Sequence, residues 1–139
     1  GAPQEVGGSF YCHHNSLTSL KGAPQRVGRD FYCDQNSLTS LKGAPQRVGR
    51  SFYCGDNSLT SLKGAPQEVG GGFYCSNNPV SEQTLLKIFQ EIQEGHTYSQ
   101  ALERLAPQIP KEDWEKLDKS GVELDAKFAK GASVLRRFL

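Results

Sequence analysis

The sequence contains no methionine, a single tryptophan and no long hydrophobic run. A membrane-spanning helix needs about 20 consecutive apolar residues, so we expect no membrane segment, and the pattern of a secretory signal peptide is also missing. Positive and negative charges nearly balance, with 16 Lys and Arg against 15 Asp and Glu, which leaves no bulk argument for binding nucleic acid. Because translation begins with methionine, a chain starting at Gly1 is expected to be processed or truncated.

A repeat of 21 residues dominates the first part of the sequence. Residues 1–21, 22–42 and 43–63 align without gaps to the pattern GAPQxVGxxFYCxxNSLTSLK, and a fourth, incomplete copy spans residues 64–80. We refer to these copies as units 1 to 4. A short repeat of fixed length predicts stacked units that share one continuous core, since no single unit can bury its own apolar face.

Within each unit, the segment Phe-Tyr-Cys is typical of a short strand with one buried face, because Phe and Cys alternate with Tyr. One such strand per unit would form a parallel sheet with about 4.8 Å between neighbours. The predicted core contains the Val, Phe, Cys and both Leu of every unit. One asparagine per unit is predicted to lie inside the turn and to bind backbone groups that water cannot reach; these are Asn15, Asn36, Asn57 and Asn78.

The spacing F-x-C-x-x-N-x-L-x-x-L resembles the leucine-rich repeat L-x-L-x-x-N-x-L. It looks most like the short bacterial form, in which a proline-containing segment replaces the outer helix. Repeats of that form occur in secreted effectors of enteric pathogens, and similar GAP-containing repeats occur in bacteriophage proteins. The resemblance covers residues 1–80 and implies an α/β repeat fold, a leucine-rich-repeat β-solenoid. The unit here is one residue longer than the short form, between Val and Phe.

Residues 81–139 lose the repeat and predict helices instead. Ser81 is a candidate N-cap for a first helix that stops at Gly95, and Thr97 with Gln100 predicts the capping box of a second. The apolar residues of the first helix recur at helical spacing; they are Leu85, Leu86, Ile88, Phe89 and Ile92.

Pro110 is predicted to begin a third helix with Trp114 facing inward, and residues 122–139 suggest a fourth. The open end of a solenoid exposes apolar core, so we interpret this C-terminal all-helical segment as a cap on the solenoid. A looser resemblance to C-terminal segments of phage repeat proteins agrees with that interpretation. No comparable cap precedes unit 1, so additional repeats or another subunit are expected at the N-terminal edge.

The four cysteines, Cys12, Cys33, Cys54 and Cys75, occur once per unit. Stacking places them in a line, whereas a zinc site needs ligands that converge tetrahedrally. Their expected separation also exceeds the Cβ–Cβ distance that a disulfide prefers. We therefore predict buried free thiols, which suit a reducing compartment. The expected location is the cytoplasm or the interior of a phage particle.

No arrangement of residues predicts catalysis. Effector ubiquitin ligases with similar repeats need a catalytic cysteine in a later domain, and no cysteine follows Cys75. The glycines at 70–72 belong to the repeat and do not open a helix, as a phosphate-binding loop would. His13 and His14 lack a third metal ligand. The sequence thus predicts a protein that is not an enzyme and holds neither cofactor nor metal.

Variation among units 1 to 3 points to the functional surface. The units differ only just before, within or just after the Phe-Tyr-Cys strand, at positions 5, 8, 9, 13 and 14 of the repeat. Strand alternation places tyrosine and two variable residues on the face opposite the core. We predict that this concave face binds a protein partner; the candidate residues are Tyr11, Tyr32, Tyr53, Tyr74, Arg26, Arg29, Arg47, Arg50, Asp30, Asp34 and His13.

Three other interpretations stay open. The tyrosines could coat the sheet and serve only solubility and register. The chain could instead be a virion or assembly component, processed at its N-terminus and buried against neighbouring subunits. Nucleic-acid binding through the arginines and the basic C-terminal residues is disfavoured, because the patch mixes both signs of charge.

Overall fold

The computed structural model describes residues 4–122. Within them, units 1 to 4 form a solenoid of parallel strands, and helices follow at its C-terminal end. The predicted solenoid with helices closing that end is confirmed. Every unit contributes two strands of two residues each; they are β1 (Glu5–Val6), β2 (Phe10–Tyr11), β3 (Arg26–Val27), β4 (Phe31–Tyr32), β5 (Arg47–Val48), β6 (Phe52–Tyr53), β7 (Glu68–Val69) and β8 (Phe73–Tyr74).

Two parallel sheets run along the solenoid, where the sequence predicted one. The odd-numbered strands form the sheet β1-β3-β5-β7, and the even-numbered strands form the sheet β2-β4-β6-β8. Equivalent positions of successive units are paired, as in Val6 with Val27 and Tyr11 with Tyr32. Because all complete units have the same length, this register holds along both sheets.

The bend between the two sheets is made by a column of glycines. A Cβ atom added to Gly49 would lie 2.1 Å from the carbonyl oxygen of Gly28 in the preceding unit. Equivalent clashes, at 2.2 Å, would arise at Gly28 and Gly70. The backbones of neighbouring units therefore approach at a distance that only glycine permits.

The core contains the residue types that the repeat predicted. In unit 2, Phe31, Cys33, Leu38 and Leu41 have no solvent-exposed surface, and Val27 is 2% exposed. Unit 3 repeats this burial. Phenylalanine rings of successive units stack at 5.2–5.6 Å between centroids, so one aromatic column runs through the solenoid.

The predicted role of the asparagines inside the turns is confirmed for Asn36, Asn57 and Asn78, which form a ladder between units, whereas Asn15 is exposed and its side chain donates only within its own unit. The Nδ2 group of Asn36 donates to the carbonyl oxygens of Cys12 and Cys33, each at 3.0 Å. Its Oδ1 atom accepts from the backbone N–H groups of Asn15 and Leu17 at 2.9 and 2.8 Å. The side chain thus bonds its own unit and the one before it. Asn57 and Asn78 make equivalent contacts, and these satisfy backbone groups inside the turns.

The C-terminal part contains three α-helices within the described residues: α1 (Glu82–Gln93), α2 (Tyr98–Leu105) and α3 (Lys111–Lys116). A 3₁₀ helix, Ala106–Gln108, follows α2. None of these helices is long and apolar enough to cross a membrane.

Most of the predicted helix boundaries agree with the structure. Ser81 is the N-cap of α1, and Gly95 follows the end of that helix with a φ angle of +103°. Thr97 and Gln100 form the predicted capping box. Pro110 is the N-cap of α3 and lies just before the helix that it was expected to begin. The predicted fourth helix falls almost wholly on residues 123–139, outside the described residues.

Helix α1 covers the last unit of the solenoid. The ring of Phe89 stacks on Phe73 with 3.9 Å between centroids, so the phenylalanine column continues into the helix. Leu85 and Ile88 are fully buried, whereas Leu86 is 38% exposed and lies on the solvent side of the helix. This contact supports the predicted capping role, because it removes the apolar edge of unit 4 from water.

Candidate protein-binding face

The tyrosines of the four units form a continuous row on the outer side of the β2-β4-β6-β8 sheet. Their rings stack with 4.8, 4.5 and 4.9 Å between successive centroids and interplanar angles of 6, 5 and 19°. Each strand directs its phenylalanine into the core, so the adjacent tyrosine must point outward. Tyr11 and Tyr74, at the two ends, are 64% and 51% exposed, while Tyr32 and Tyr53 are partly covered by their neighbours. We call this surface the tyrosine face.

The Tyr74 ring leans toward the bend between the two sheets. A Cβ atom added to Gly72 would lie 2.6 Å from the hydroxyl oxygen of Tyr74, so this ring covers the backbone two residues earlier. The planes of the other three rings are nearly parallel to it along the stack. Partial burial and the nearby Asp30 carboxylate raise the pKa of Tyr32. Like any tyrosine hydroxyl, that of Tyr32 is protonated at neutral pH and can donate a hydrogen bond.

Arg26 and Arg47 lie on the neighbouring sheet, at position 5 of their units. Each forms an ion pair with the glutamate at the same position of an adjacent unit. The Arg26 Nη1 atom lies 3.3 Å from Glu5 Oε1, and the Arg47 Nε atom lies 3.7 Å from Glu68 Oε2. The column therefore reads Glu, Arg, Arg, Glu along the solenoid, with the two arginines adjacent at its centre. Both ion pairs are well exposed to solvent, so each contributes little to stability.

Arg29 and Arg50 are in a different electrostatic situation. Both lie at the bend between the sheets and are exposed, and the Arg50 N–H donates to the Arg29 carbonyl at 3.0 Å. Neither side chain has an acidic partner within ion-pair distance among residues 4–122. Glycines, Gly8 and Gly71, occupy the equivalent positions in units 1 and 4. The four arginines that the sequence grouped together are thus divided into a neutralised pair and an unneutralised pair.

Asp30 takes part in a side-chain ladder beneath the tyrosine rings. Its Oδ1 atom accepts a hydrogen bond from the Ser51 N–H at 2.9 Å. Ser9 accepts in the same way from Asp30, and Ser51 from Gly72, both at 3.1 Å. The side chain at this position therefore serves the backbone of the next unit. One carboxylate oxygen of Asp30 is engaged within the chain and only the other remains for a partner.

His13 and Asp34 occupy the same column on the other side of the tyrosines. His13 is exposed, and its ring lies 6.0 and 5.8 Å from the rings of Tyr11 and Tyr32. Asp34 is half-buried, and its Oδ1 atom is enclosed without a hydrogen-bond partner. The structure thus places both candidates at the edge of the tyrosine face.

The four cysteines are free thiols, as predicted; Cys33, Cys54 and Cys75 are buried, whereas Cys12 is only partly buried. Burial, followed by the charge of Asp34, raises the pKa of Cys12 to about 11. Burial, followed by the charge of Glu82, raises the pKa of Cys75 to about 12. Cys33 and Cys54 also have pKa values well above the usual one, mainly because they are buried. Thiols of this kind are poor nucleophiles and poor metal ligands, since both roles need the thiolate.

One cluster of titratable groups was missed from the sequence. Glu91, Glu94 and His96 bring potential ligand atoms within 4.8 Å of one another at the end of α1. A cleft of about 530 Å³ lies beside them, between the start of unit 4 and the α1–α2 connection. However, Arg104 donates to Glu91 at 2.8 Å, and this hydrogen bond lowers the pKa of Glu91. The cluster is therefore an ion-pair network that joins α1 to α2, and the spacing E-x-x-E-x-H is its signal in the sequence.

No protein-family model, curated protein or solved structure matches the chain.

Proposed function

We propose that the chain is a non-enzymatic protein-binding module whose partner docks on the tyrosine face. The observation that carries this proposal is the row of four stacked, outward-facing tyrosines on a framework of exact register. Tyrosine covers a large contact area at low entropic cost and keeps a hydroxyl group for hydrogen bonding.

The framework beneath the row favours binding because it is already ordered. The glycine column, the asparagine ladder and the phenylalanine column fix each unit against the next. A partner would therefore meet side chains whose arrangement costs little further ordering on association. A row that served solubility alone would gain nothing from such exposure, since Tyr11 and Tyr74 place large apolar surface in water.

Stacking of the rings disfavours nucleic acid as the partner. Proteins that bind single strands offer the flat faces of aromatic rings to the bases. Here the rings of Tyr32 and Tyr53 are covered on both faces by neighbouring tyrosines. These two inner rings present their edges and hydroxyl groups, which suit contacts with a protein surface.

The experiment is a crosslinking pull-down with the full chain from cells or particles of its source. The wild-type chain is compared with a Tyr11→Ser, Tyr74→Ser variant, which removes the two most exposed rings at the least cost to packing. A Leu86→Ser variant is the control, because Leu86 is an exposed large hydrophobic residue outside the face. We expect the captured protein to be lost with the tyrosine variant and retained with the control. Retention by both variants would contradict the proposal.

A structural component of a bacterial or phage assembly is the second candidate. It rests on the resemblance to short leucine-rich repeats and on the exposure of unit 1. Phe10, Cys12 and Leu17 are only partly buried, whereas their equivalents in unit 2 have no exposed surface. An additional repeat or a neighbouring subunit stacked on this edge would bury them. This candidate predicts that Phe10→Ser abolishes incorporation into particles, while the tyrosine variant is incorporated normally.

A further inference from the structure

We propose that the partner presents an acidic protein segment, with neighbouring carboxylates, to Arg29 and Arg50. This inference rests on the proposed function, because it names the chemistry of the partner at the tyrosine face. It depends on the difference between the two arginine pairs, which the sequence alone did not distinguish.

The ion pairs within the chain show which arginines have no acidic partner of their own. Arg26 and Arg47 already have Glu5 and Glu68 at 3.3 and 3.7 Å. Arg29 and Arg50 have no such acid among residues 4–122. Asp30 is the nearest acid in sequence, but no ion pair joins it to either arginine in the described part of the chain, and its Oδ1 atom accepts from the Ser51 backbone N–H. The unneutralised positive charge near the tyrosine face therefore belongs to Arg29 and Arg50.

The spacing of the two arginines suits adjacent carboxylates. They occupy equivalent positions in units 2 and 3, and a backbone hydrogen bond of 3.0 Å joins them directly. Neighbouring strands of a sheet lie about 4.8 Å apart, so the two guanidinium groups belong to adjacent rungs, and like charges that lie close together repel each other. Each planar guanidinium can bind a carboxylate through two parallel hydrogen bonds. Two acidic side chains of one extended segment would relieve this repulsion.

The arginines lie near the tyrosine hydroxyl groups, which are hydrogen-bond donors. The Tyr74 ring leans toward the bend and covers the backbone of Gly72, one residue beyond the position equivalent to Arg29 and Arg50, and the other tyrosine rings stack with it in nearly parallel planes. The site thus offers cations on one side and phenolic hydroxyl groups on the other. An acidic segment provides acceptors for both, with carboxylates for the arginines and backbone carbonyls for the tyrosines.

The test measures binding of a fluorescein-labelled (Glu-Ser)5 peptide to the full chain by fluorescence anisotropy. The variant is Arg29→Gln with Arg50→Gln. The control is Arg26→Gln with Arg47→Gln, which removes the same charge from the same two units. We expect the Kd to rise about tenfold or more for the variant and much less for the control. The affinity of the wild type should also fall as salt is added.

Three results would overturn the inference. The first is an equal loss of peptide affinity in both double variants, which would indicate a general effect of net charge. The second is binding of a dT10 oligonucleotide through the same arginines with equal or higher affinity. The third is no binding of the peptide to the wild type at millimolar concentration. Circular dichroism and thermal melting establish that each variant is folded, and both positions are exposed, so we expect unchanged melting.

The failure of this inference can be distinguished from failure of the proposed function. The pull-down is repeated with the Arg29→Gln, Arg50→Gln variant beside the tyrosine variant. Capture that survives the arginine changes but not the tyrosine changes would overturn the acidic-segment proposal and leave the tyrosine face as the binding surface. Capture that survives both sets of changes would overturn the two proposals together.

Discussion

Single glycines set the distance between neighbouring units. At Gly49, a Cβ atom would lie 2.1 Å from the Gly28 carbonyl oxygen. At Gly7, which has the same position in unit 1, a Cβ atom would meet nothing within 4 Å. The same substitution at these equivalent positions is therefore expected to have different consequences. Comparing the two variants distinguishes the cost of a steric clash between units from the intrinsic conformational preference of glycine.

Gly49→Ala is expected to lower the free energy of unfolding by about 1–3 kcal/mol, because the backbones of units 2 and 3 must move apart. Gly7→Ala is expected to change it by less than about 0.5 kcal/mol. Urea titration followed by circular dichroism measures both. Equal destabilisation by the two variants would show that contact between units is not the cause.

Individual residues also show the limits of sequence interpretation. The core residues and the asparagine ladder were predictable, because the same residue types recur at the same positions of every unit. The division of the arginines was not predicted, since pairing depends on which side chain lies opposite in the adjacent unit. The pairing of Glu5 with Arg26 could have been inferred from the repeat length, because the two residues are one repeat apart and therefore lie side by side in the sheet.

Helices α1 and α3 are joined through one buried carboxylate. Asp113, only 6% exposed, accepts hydrogen bonds from the Ser81 N–H at 2.9 Å and from the hydroxyl groups of Ser81 and Thr84, both at 2.5 Å. Burial raises the pKa of Asp113, but these hydrogen bonds outweigh it and leave the pKa below its usual value. A negative charge is thereby held at the N-terminus of α1, where the helix dipole favours it.

This linkage makes the stability of the helical cap dependent on pH. The carboxylate has a lower pKa in the folded state, so its contribution is present above the unfolded value of about 3.9 and is lost as the pH falls through the folded pKa. Asp113→Asn is expected to cost about 1–3 kcal/mol at pH 7 and progressively less below pH 4. Trp114 fluorescence during urea denaturation measures the difference.

Glu112→Gln is the control for this prediction, since Glu112 is an exposed acid on the same helix. It should change the free energy of unfolding at pH 7 by less than about 0.5 kcal/mol. A constant difference between wild type and Asp113→Asn from pH 7 to pH 2.5 would contradict the assigned role of the carboxylate.

The second sheet is the element that the sequence did not predict. Its strands contain two residues each, such as Arg26–Val27, and two residues cannot display an alternating pattern. They are ordered by their neighbours along the stack and by the glycine bend beside them. The helices were easier to predict, because caps such as Ser81 and Thr97 act locally.

The stacked arrangement implies that stability depends on the number of units. Each inner unit buries its phenylalanine, cysteine and leucines against two neighbours, as unit 2 does. The stability of such arrays is approximately a sum of repeat terms and nearest-neighbour terms. The length of the solenoid is therefore an adjustable property of the whole molecule.

Insertion of a second copy of residues 22–42 after Lys42 is expected to raise the Tm by about 4 °C or more. The urea m-value should rise as well, because more surface is exposed on unfolding. The control is the same insert with the residue equivalent to Gly28 changed to alanine, which should lose most of the gain. A lower Tm for the intact insert would contradict nearest-neighbour stacking.

Because each unit contains one cysteine, the rate at which each thiol is alkylated reports how often its unit opens. Cys33, Cys54 and Cys75 are fully buried, and none can be alkylated until its unit opens. Cys12 is partly exposed and should react first with iodoacetamide. If opening spreads inward from unit 1, Cys33 will be modified before Cys54, as mass spectrometry of timed samples would show. Equal rates for these two would mean instead that the stack opens in one cooperative event.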